Sequence, residues 1–300
     1  PAIPSHSPHW PHDSWARSSP GPGRLSAMSA SGIEPPADFA WQAGVVRITV
    51  LGCSGSVVGP DSPASGYLLT APDTTPLVVD FGGGVLGALQ RHVDPNQVNI
   101  LLSHLHADHC LDLPGLFVWR RYHPSPATQR GLMYGPSGTA TRLAAASSPL
   151  GGELDDFSDI FDVRHWVDSE TTQFGRLSVL PRLVTHPTES FGLRINDADG
   201  ATLVYSGDTG MCDSLVELAT GADVFLCEAS WTDSPDRPRD LHMSGAEAGR
   251  VAKRAGVAEL LLTHIPPWTP REVVISEAKS EFDGPVRAVV AGETIDVRRA

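Results

Sequence analysis

The stretch LLSHLHADHCLDLPG, residues 101–115, is the most informative part of the chain. Within six positions it places His104, His106, Asp108 and His109, although the whole chain of 300 residues contains only 12 histidines. Packing four such polar groups tightly costs desolvation free energy unless they share partners or a metal ion. Imidazole and carboxylate suit zinc and similar divalent ions. One short loop is too constrained to surround a single ion, so the spacing favours two adjacent ions with further ligands from the rest of the chain.

The cluster follows an apolar run, VNILLSH (98–104), that is typical of a buried strand. Similar runs predict further strands at 45–52, 77–84, 132–135, 177–186, 191–195, 201–208, 223–230, 259–264 and 286–292. Several of these strands end in a side chain that can bind a metal: Asp80, His104, His186, Asp208, Glu228 and His264. Strand ends along one edge of a sheet converge, and rigid strands hold in place the side chains that they carry. We therefore expect one shared site at such an edge.

Helical patterns alternate with these strands. They predict helices at 85–92, 116–123, 139–146, 213–220, 244–256 and 271–279. In the fifth of these, Ser244 is expected as N-cap and Glu247 completes a capping box. The alternation indicates an α/β (α+β) fold with layers of sheet and helix. Residues 1–43 are rich in Pro, Ser and Gly and lack periodicity, so we expect a disordered extension before a folded domain at 44–300.

Composition restricts the class of partner. With 35 acidic and 22 basic residues the net charge is −13, which makes nucleic acid an unexpected partner. A small anionic substrate stays compatible, because bound metal ions would add local positive charge. The four cysteines form no C-x-x-C pair and are expected to be reduced thiols of a cytoplasmic protein, with a metal-ligand role for Cys110 as the minor alternative. No apolar run approaches the roughly 18 residues of a membrane span.

The motifs together resemble the metallo-β-lactamase superfamily. VVDFGGG with Asp80, HLHADH (104–109), His186, GDTG with Asp208, and His264 follow one another in the order of that family, over residues 45–300. The resemblance implies a four-layer αββα sandwich with two divalent metal ions at one edge of its sheets. It implies that the first ion is held by His104, His106 and His186, the second by Asp108, His109 and His264, and that Asp208 bridges both. Asp80 would orient a ligand imidazole, the alternative being a turn residue.

Five further motifs resemble the ribonuclease Z-like branch of this superfamily: LGCSGS (51–56), LPGL (113–116), YGPSG (134–138), CEASW (227–231) and HMSGAEAG (242–249). The branch implies that Glu228 and His242 assist protonation of the leaving group, where a carboxylate fixes the tautomer of an imidazole and raises its basicity. A structural salt bridge and a loop cap are the alternatives. Two features depart from ribonuclease Z. His186 and Asp208 are too close in sequence for a tRNA-gripping arm, and VVGPDSPASGY (57–67) replaces a polar Arg-Asn pair.

The whole pattern is similar to actinobacterial metallo-β-lactamase-fold phosphodiesterases of cyclic nucleotides. It implies hydrolysis of 3′,5′-cAMP, with cGMP as a further substrate, to 5′-monophosphates by attack of a hydroxide shared by the two metals. The catalytic groups would be Asp108, Asp208, Glu228 and His242. Zinc is the first expectation, and manganese and iron(II) are alternatives, since these ligands do not separate them. The resemblance allows a homodimer, but the sequence does not identify an interface.

Other functions stay open. One is a ribonuclease Z-like tRNA 3′-processing endonuclease, and another is a thioester, lactone or β-lactam hydrolase. A scaffold without catalysis is disfavoured because all seven metal-binding residues are present. Arg120, Arg121 and His123 are expected on an exposed basic helix face, with phosphate contact as the alternative. Trp119 and Tyr122 belong either to the core or to a surface that stacks on a base. The substrate-binding residues are otherwise unknown.

Overall fold

The computed structural model describes residues 46–149 and 152–300. In these residues two seven-stranded sheets pack together. The strands of the first sheet are β1 (Val46–Gly52), β2 (Gly66–Thr70), β3 (Leu77–Val79), β4 (Asn99–Leu101), β5 (Gly131–Gly135), β6 (Phe161–His165) and β14 (Thr294–Val297). Those of the second sheet are β7 (Thr172–Phe174), β8 (Leu177–Leu183), β9 (Phe191–Asp197), β10 (Thr202–Tyr205), β11 (Val224–Glu228), β12 (Glu259–Thr263) and β13 (Val286–Ala288).

The two sheets share one topology. The first has the order β14-β1-β2-β3-β4-β5-β6, antiparallel from β14 to β3 and parallel from β3 to β6. The second has the order β13-β12-β11-β10-β9-β8-β7, parallel from β13 to β10 and antiparallel from β10 to β7. Each sheet therefore has a parallel half, whose strands are connected through helices and whose carboxyl ends lie along one edge.

Helices cover the outer face of each sheet. They are α1 (Val85–Leu89), α2 (Ala107–Cys110), α3 (Leu113–Tyr122), α4 (Thr139–Ser147), α5 (Asp213–Ala219), α6 (Gly245–Ala255) and α7 (Arg271–Glu281). A core between the sheets includes Ile48, Tyr67, Leu193 and Tyr205. Apolar residues of α1, α3 and α4 pack on the outer face of the first sheet, and those of α5, α6 and α7 on that of the second. The predicted four-layer αββα sandwich is confirmed.

Most predicted elements are present, and most strands are shorter than predicted, although β5 and β9 are longer. Four strands that the sequence analysis did not find are β2, β6, β7 and β14. Helix α3 begins at Leu113 rather than 116, because Pro114 occupies the first turn, where proline is tolerated. The predicted extension, residues 1–43, lies outside the described residues. Among the described helices, none combines the length and the apolar character needed to cross a bilayer.

Candidate metal centre

Four segments, which follow strands of both sheets, converge at one edge of the sandwich. In the first sheet, the loop after β4 leads into α2, a single turn. In the second sheet, the contributing side chains follow β8, β10 and β12. Two groups result, which we call the first His/Asp group (His104, His106, His186 and Asp208) and the second His/Asp group (Asp108, His109, Asp208 and His264). In each group the candidate ligand atoms lie within 4.8 Å of one another. The structure thus brings together all seven residues that the sequence singled out, and Asp208 belongs to both groups.

The first His/Asp group is tightly spaced. His106 Nδ1 lies 3.1 Å from His104 Nε2 and 3.2 Å from His186 Nε2. His104 Nε2 lies 3.6 Å from Asp208 Oδ2. Ligands about 2.0–2.1 Å from an ion in tetrahedral geometry lie roughly 3.3 Å from one another. The spacing of the group therefore fits one divalent ion.

The second His/Asp group has similar distances. Asp208 Oδ2 lies 3.2 Å from His109 Nε2 and 3.3 Å from His264 Nε2, and Asp108 Oδ2 lies 3.4 Å from His109 Nε2. Four buried atoms of this group have no hydrogen-bond partner: Asp108 Oδ2, His109 Nε2, Asp208 Oδ1 and His264 Nε2. A buried polar atom without a partner costs about 1–3 kcal/mol. A bound cation would supply the missing partner to all four, so the donor set fits a second divalent ion.

Three of the imidazoles have the protonation state that binds a metal, whereas, despite its burial, His109 has a pKa that the carboxylates of Asp208 and Asp80 raise well above its usual value. Burial lowers the pKa of His104, His186 and His264, so that each imidazole is neutral at neutral pH, the form that binds a metal. Burial raises the pKa of Asp208, but the charge of the His109 imidazole is the main effect that more than offsets this and holds the pKa well below the usual range. The shared carboxylate is therefore ionised. The carboxylates outnumber the formal positive charges in the cluster, which is a further reason for it to attract cations.

Asp80 is fully buried and organises the loop that carries the histidines. Its Oδ2 lies 2.8 Å from His109 Nδ1 and accepts hydrogen bonds from the hydroxyls of Ser103 and Tyr205, both at 2.8 Å. Its Oδ1 accepts from the backbone N–H of Ser103 at 2.7 Å. With Nδ1 engaged, the His109 ring presents Nε2 to the second His/Asp group. Asp80 has φ 58°, a left-handed conformation that costs free energy outside glycine, and these four contacts hold it there.

Other imidazoles are oriented by groups that the sequence analysis missed. Ser65 Oγ lies 2.9 Å from His264 Nδ1, and the Leu241 carbonyl lies 2.9 Å from His186 Nδ1. Ser103 Oγ lies 3.1 Å from His104 Nδ1. Each contact directs the opposite ring nitrogen towards the metal groups. Serines and a main-chain carbonyl carry no distinctive sequence signal, so only tertiary structure reveals these roles.

Glu228 and His242 form a buried pair next to the two groups. His242 Nδ1 lies 3.0 Å from Glu228 Oε1 and 3.8 Å from Asp208 Oδ2. Glu228 Oε1 also accepts from the backbone N–H of Thr209 at 2.8 Å, and Oε2 accepts from the Ser230 hydroxyl at 2.9 Å. Although Asp208, Glu228 and His242 are close enough to hold an ion, these donors already engage both Glu228 oxygens. The pair is thus better described as a carboxylate that orients an imidazole.

The charge state of His242 follows from the same contact. Burial lowers the pKa of His242, but the Glu228 carboxylate raises it by more, to about 9. Because Nδ1 bonds Glu228, Nε2 is the nitrogen that can face a substrate. The ring of Trp231 lies beside that of His242, with centroids 5.9 Å apart.

The basic residues after the cluster do not reach the site. Arg120 is only 2% exposed, and its guanidinium donates to the carbonyls of Asn96 at 2.9 Å and Gln129 at 2.8 Å. The expectation of an exposed Arg120 is therefore wrong: the side chain ties two loops together at the amino ends of β4 and β5, where it lines a cavity of about 620 Å³. Arg121 instead forms ion pairs with Asp155 and Asp159.

The neighbouring aromatic residues and cysteine also lie outside the site. Tyr122 is 76% exposed and so is not a core residue, while the half-buried ring of Trp119 stacks on His123 with centroids 4.5 Å apart. Cys110 is buried, and its thiol donates to the His106 carbonyl at 3.3 Å. Cys110 is in neither His/Asp group, so its thiol has a packing role.

Comparison with known proteins agrees with this geometry. Over residues 77–265 the chain matches the model of the Beta-lactamase superfamily domain, and it belongs to that family. It is 76% identical over 255 residues to an uncharacterized protein of Mycobacterium tuberculosis, an alignment that covers 85% of this chain and 93% of the relative. It is 30% identical over 247 residues to ribonuclease Z of Mycobacterium bovis, which covers 74% of this chain and 87% of that protein.

The fold has a solved counterpart. The crystal structure of the metallo-β-lactamase fold protein YhfI from Bacillus subtilis superposes with a TM-score of 0.75 at 26% identity. The superposition covers 84% of this chain and 99% of that one. With the family and the His/Asp cluster, this likeness defines the chain as a metal-dependent hydrolase of the metallo-β-lactamase fold.

Proposed function

We propose that the chain is a two-metal phosphodiesterase that hydrolyses 3′,5′-cyclic nucleotides, cAMP first and also cGMP, to 5′-monophosphates. The observation that carries the proposal is the position of Asp208 in both His/Asp groups, 3.8 Å from His242 Nδ1. In this proposal two cation sites and a proton donor surround one small volume. Those are the components that displacement at a phosphorus atom needs.

The two His/Asp groups supply the metal-binding part. His104, His106 and His186 would hold one ion, Asp108, His109 and His264 the other, and Asp208 both. Zinc is proposed because imidazole and carboxylate at these spacings suit it, while manganese and iron(II) share the ligand preference. Bound divalent ions would lower the pKa of a water molecule and draw charge from the phosphate oxygens. Asp108 and Asp208 would keep the ions in place through the reaction.

The Glu228–His242 pair would supply the proton that the leaving group needs. When a cyclic nucleotide is opened, the bond between phosphorus and O3′ breaks, and the ribose oxygen needs a proton. Glu228 fixes His242 through Nδ1, so His242 Nε2 can donate that proton. A thioester releases a thiolate, which leaves readily without a proton and so has less need of such an acid. The pair therefore favours a phosphodiester over a thioester.

Substrate size is the argument for a cyclic nucleotide. Between His186 and Asp208 the chain forms only the two strands β9 and β10 and their connections. No gripping arm interrupts this part of the described chain, and the net charge of −13 opposes a polyanion. A second candidate, a ribonuclease Z-like endonuclease, is favoured by the 30% identity to ribonuclease Z and by the same Glu228–His242 pair.

One experiment separates the candidates. Zinc-loaded protein is incubated with 3′,5′-cAMP, 2′,3′-cAMP and a pre-tRNA, and the products are resolved by chromatography. We expect 5′-AMP from 3′,5′-cAMP. Cleavage of the pre-tRNA alone would support the endonuclease, and inactivity on all three with turnover of a thioester or lactone would exclude phosphodiester chemistry.

A variant pair links the activity to the site. Asp208→Ala should abolish hydrolysis and reduce the zinc content by at least one ion per chain, since both His/Asp groups lose their shared member. Asp296→Ala, which removes a surface ion pair with Arg47, should leave both unchanged. Full activity of Asp208→Ala with two ions bound would contradict the assignment.

A further inference from the structure

We propose that Arg237 is the positioning residue of His242: its buried guanidinium fixes the loop that carries this imidazole and so determines how well a proton reaches the leaving oxygen. The inference rests on the proposed function only in giving His242 the role of proton donor. It adds a residue that no motif of the sequence indicated, in the segment between β11 and α6.

The segment from Trp231 to Gly245 is a closed loop. The Trp231 backbone N–H donates to the Met243 carbonyl at 3.3 Å, and the Gly245 N–H donates to the Trp231 carbonyl at 3.2 Å. His242 lies just inside this closure. Its imidazole is held by Glu228, which belongs to β11, whereas its backbone belongs to the loop. The angle at which the ring is presented therefore depends on where the loop backbone lies.

Arg237 crosses the inside of the loop and anchors it at three points. Its side chain is 4% exposed and forms an ion pair of 2.6 Å with Glu247, in the first turn of α6. A second ion pair, at 3.3 Å, reaches Asp233 near the start of the loop. Nη1 donates to the carbonyl of His242 itself at 3.3 Å. One cation therefore connects the entry of the loop, its exit and the residue that it presents.

The anchor in α6 is itself rigid. Glu247 Oε2 accepts from the Ser244 backbone N–H, and the Ser244 hydroxyl accepts from the Glu247 N–H, which closes the capping box. Because Glu247 is 5% exposed, loss of the arginine would leave a buried carboxylate without its cation. The Arg237–Glu247 ion pair therefore holds the loop in a fixed position relative to α6.

The same loop also contacts the first His/Asp group. The Leu241 carbonyl, one residue before His242, lies 2.9 Å from His186 Nδ1. A displaced loop would move the proton donor relative to the metal groups. A misplacement of about 1 Å can lower a rate by about 100-fold. The effect should appear in the chemical step rather than in substrate binding.

The test uses the leaving group to separate positioning from general structural support. A ribose oxygen needs a proton as it departs, whereas 4-nitrophenolate leaves without one. Arg237→Met should lower kcat for 3′,5′-cAMP about 10–100-fold with little change in KM, and should change kcat for bis(4-nitrophenyl) phosphate by less than about threefold. Arg237→Lys keeps the cation and should recover part of the loss. His242→Ala provides the reference pattern of selective loss.

Controls establish what each outcome means. Arg254→Met, which removes an exposed ion pair from the same helix α6, should behave like the wild type on both substrates. Zinc content and thermal unfolding are measured for every variant. Equal losses of Arg237→Met on both substrates, or no loss at all, would overturn the inference. If Arg237→Met does not fold, Arg237→Lys carries the test, because its smaller loss must show the same selectivity for cAMP.

The proposed substrate can be wrong while the role of Arg237 is still tested. If the wild type does not hydrolyse cAMP but cleaves a pre-tRNA, the substrate proposal is wrong, and the same comparison is made with pre-tRNA as the ester whose leaving group is a ribose oxygen. Selective loss on that substrate would still support Arg237 as the positioning residue, and equal loss would still overturn it.

Discussion

Single glycines of the sequence motifs allow the ligand loops to approach one another. A Cβ added at Gly82, in VVDFGGG, would lie 1.9 Å from the carbonyl oxygen of Asp108. A Cβ added at Gly55, in LGCSGS, would lie 2.3 Å from the carbonyl oxygen of His264. Both distances are shorter than any real contact, and in both the neighbour is backbone, which yields at a greater cost than the end of a flexible side chain. The glycines are thus required by backbone packing against two of the candidate metal-binding residues.

Gly82→Ala should consequently damage the site. The added methyl group must push away the turn that carries Asp108, so we expect a destabilisation of about 1–3 kcal/mol and loss of the second metal ion. Zinc content after dialysis and thermal unfolding measure the two effects. The control is Gly87→Ala in α1, where a Cβ meets nothing within 4 Å. That substitution should be neutral or stabilising by up to about 1 kcal/mol. Normal zinc content in Gly82→Ala would show that the turn adapts.

Asp80 offers a second prediction for a single residue. Asp80→Asn keeps the volume but places an amide N–H₂ among the donors Ser103, Tyr205 and His109. The His109 ring then loses its orientation, and we expect zinc affinity to fall about 10–100-fold. Competition with a coloured chelator measures the affinity. Asp296→Asn is the surface control. Unchanged affinity in Asp80→Asn would mean that α2 alone orients the ring.

At the scale of elements, the sequence was most informative where burial is complete. The residues of β1 and β11 are almost all buried and mostly apolar, so the sequence alone predicts these two strands. Strand β14 (TIDV) is short and mostly half-exposed, and it forms only because Val46 to Thr49 pair with it across the whole chain. Long-range pairing of this kind leaves no local pattern.

The residues of the site likewise divide into those that the sequence predicts and those that only tertiary structure reveals. The seven residues of the His/Asp groups follow from spacing and family resemblance, because His and Asp clusters are rare without a reason. Ser65, the Leu241 carbonyl and Arg237 were not predictable, since each acts through one contact that tertiary structure alone creates. Arg120 was misassigned because a helix pattern does not reveal which charged residue turns inwards.

The turn between β9 and β10 carries an element-scale prediction about pH. The Asp197 side chain is fully buried, accepts from Arg176 at 2.6 and 2.9 Å, and accepts from the Asp199 N–H at 2.9 Å. Burial raises the pKa of Asp197, but Arg176 and the backbone N–H groups offset this and lower the pKa overall. The ionised form therefore stabilises the fold above the unfolded pKa of about 3.9, and this stability is lost as pH falls through the lower folded pKa.

Asp197→Asn should destabilise the protein by about 2–3 kcal/mol at neutral pH. The difference from the wild type should shrink only below about pH 4. Denaturant unfolding at several pH values measures the destabilisation and the pH below which it shrinks. A chelator is present so that metal loss does not contribute. Asp283→Asn removes an exposed pair with Lys253 and should stay within about 0.5 kcal/mol of the wild type. If the free energies of unfolding of the wild type and Asp197→Asn become equal well above pH 4, the pKa of Asp197 is not lowered.

At the scale of the whole molecule, the two His/Asp groups connect the halves of the sandwich. His104, His106, Asp108 and His109 come from the first sheet, and His186, Asp208 and His264 from the second. A metal ion held by both sets binds the folded chain, whereas the unfolded chain cannot assemble such a site. By mass action, an ion at 1,000 times its dissociation constant stabilises the fold by about 4 kcal/mol. The metals should therefore contribute to stability as well as to hydrolysis.

Removal of metal by a chelator should then lower Tm by roughly 10 °C, since in a domain of this size 1 kcal/mol corresponds to about 2–4 °C. Readdition of zinc should restore it. Asp208→Ala is the decisive comparison, because its Tm should lie near that of the chelated wild type and should respond little to the chelator. The four unpartnered buried atoms of the second His/Asp group give the physical reason, since each regains a partner only when an ion binds. A wild-type Tm insensitive to chelation, with the metal shown to be gone, would mean that packing between the sheets alone holds the two halves together.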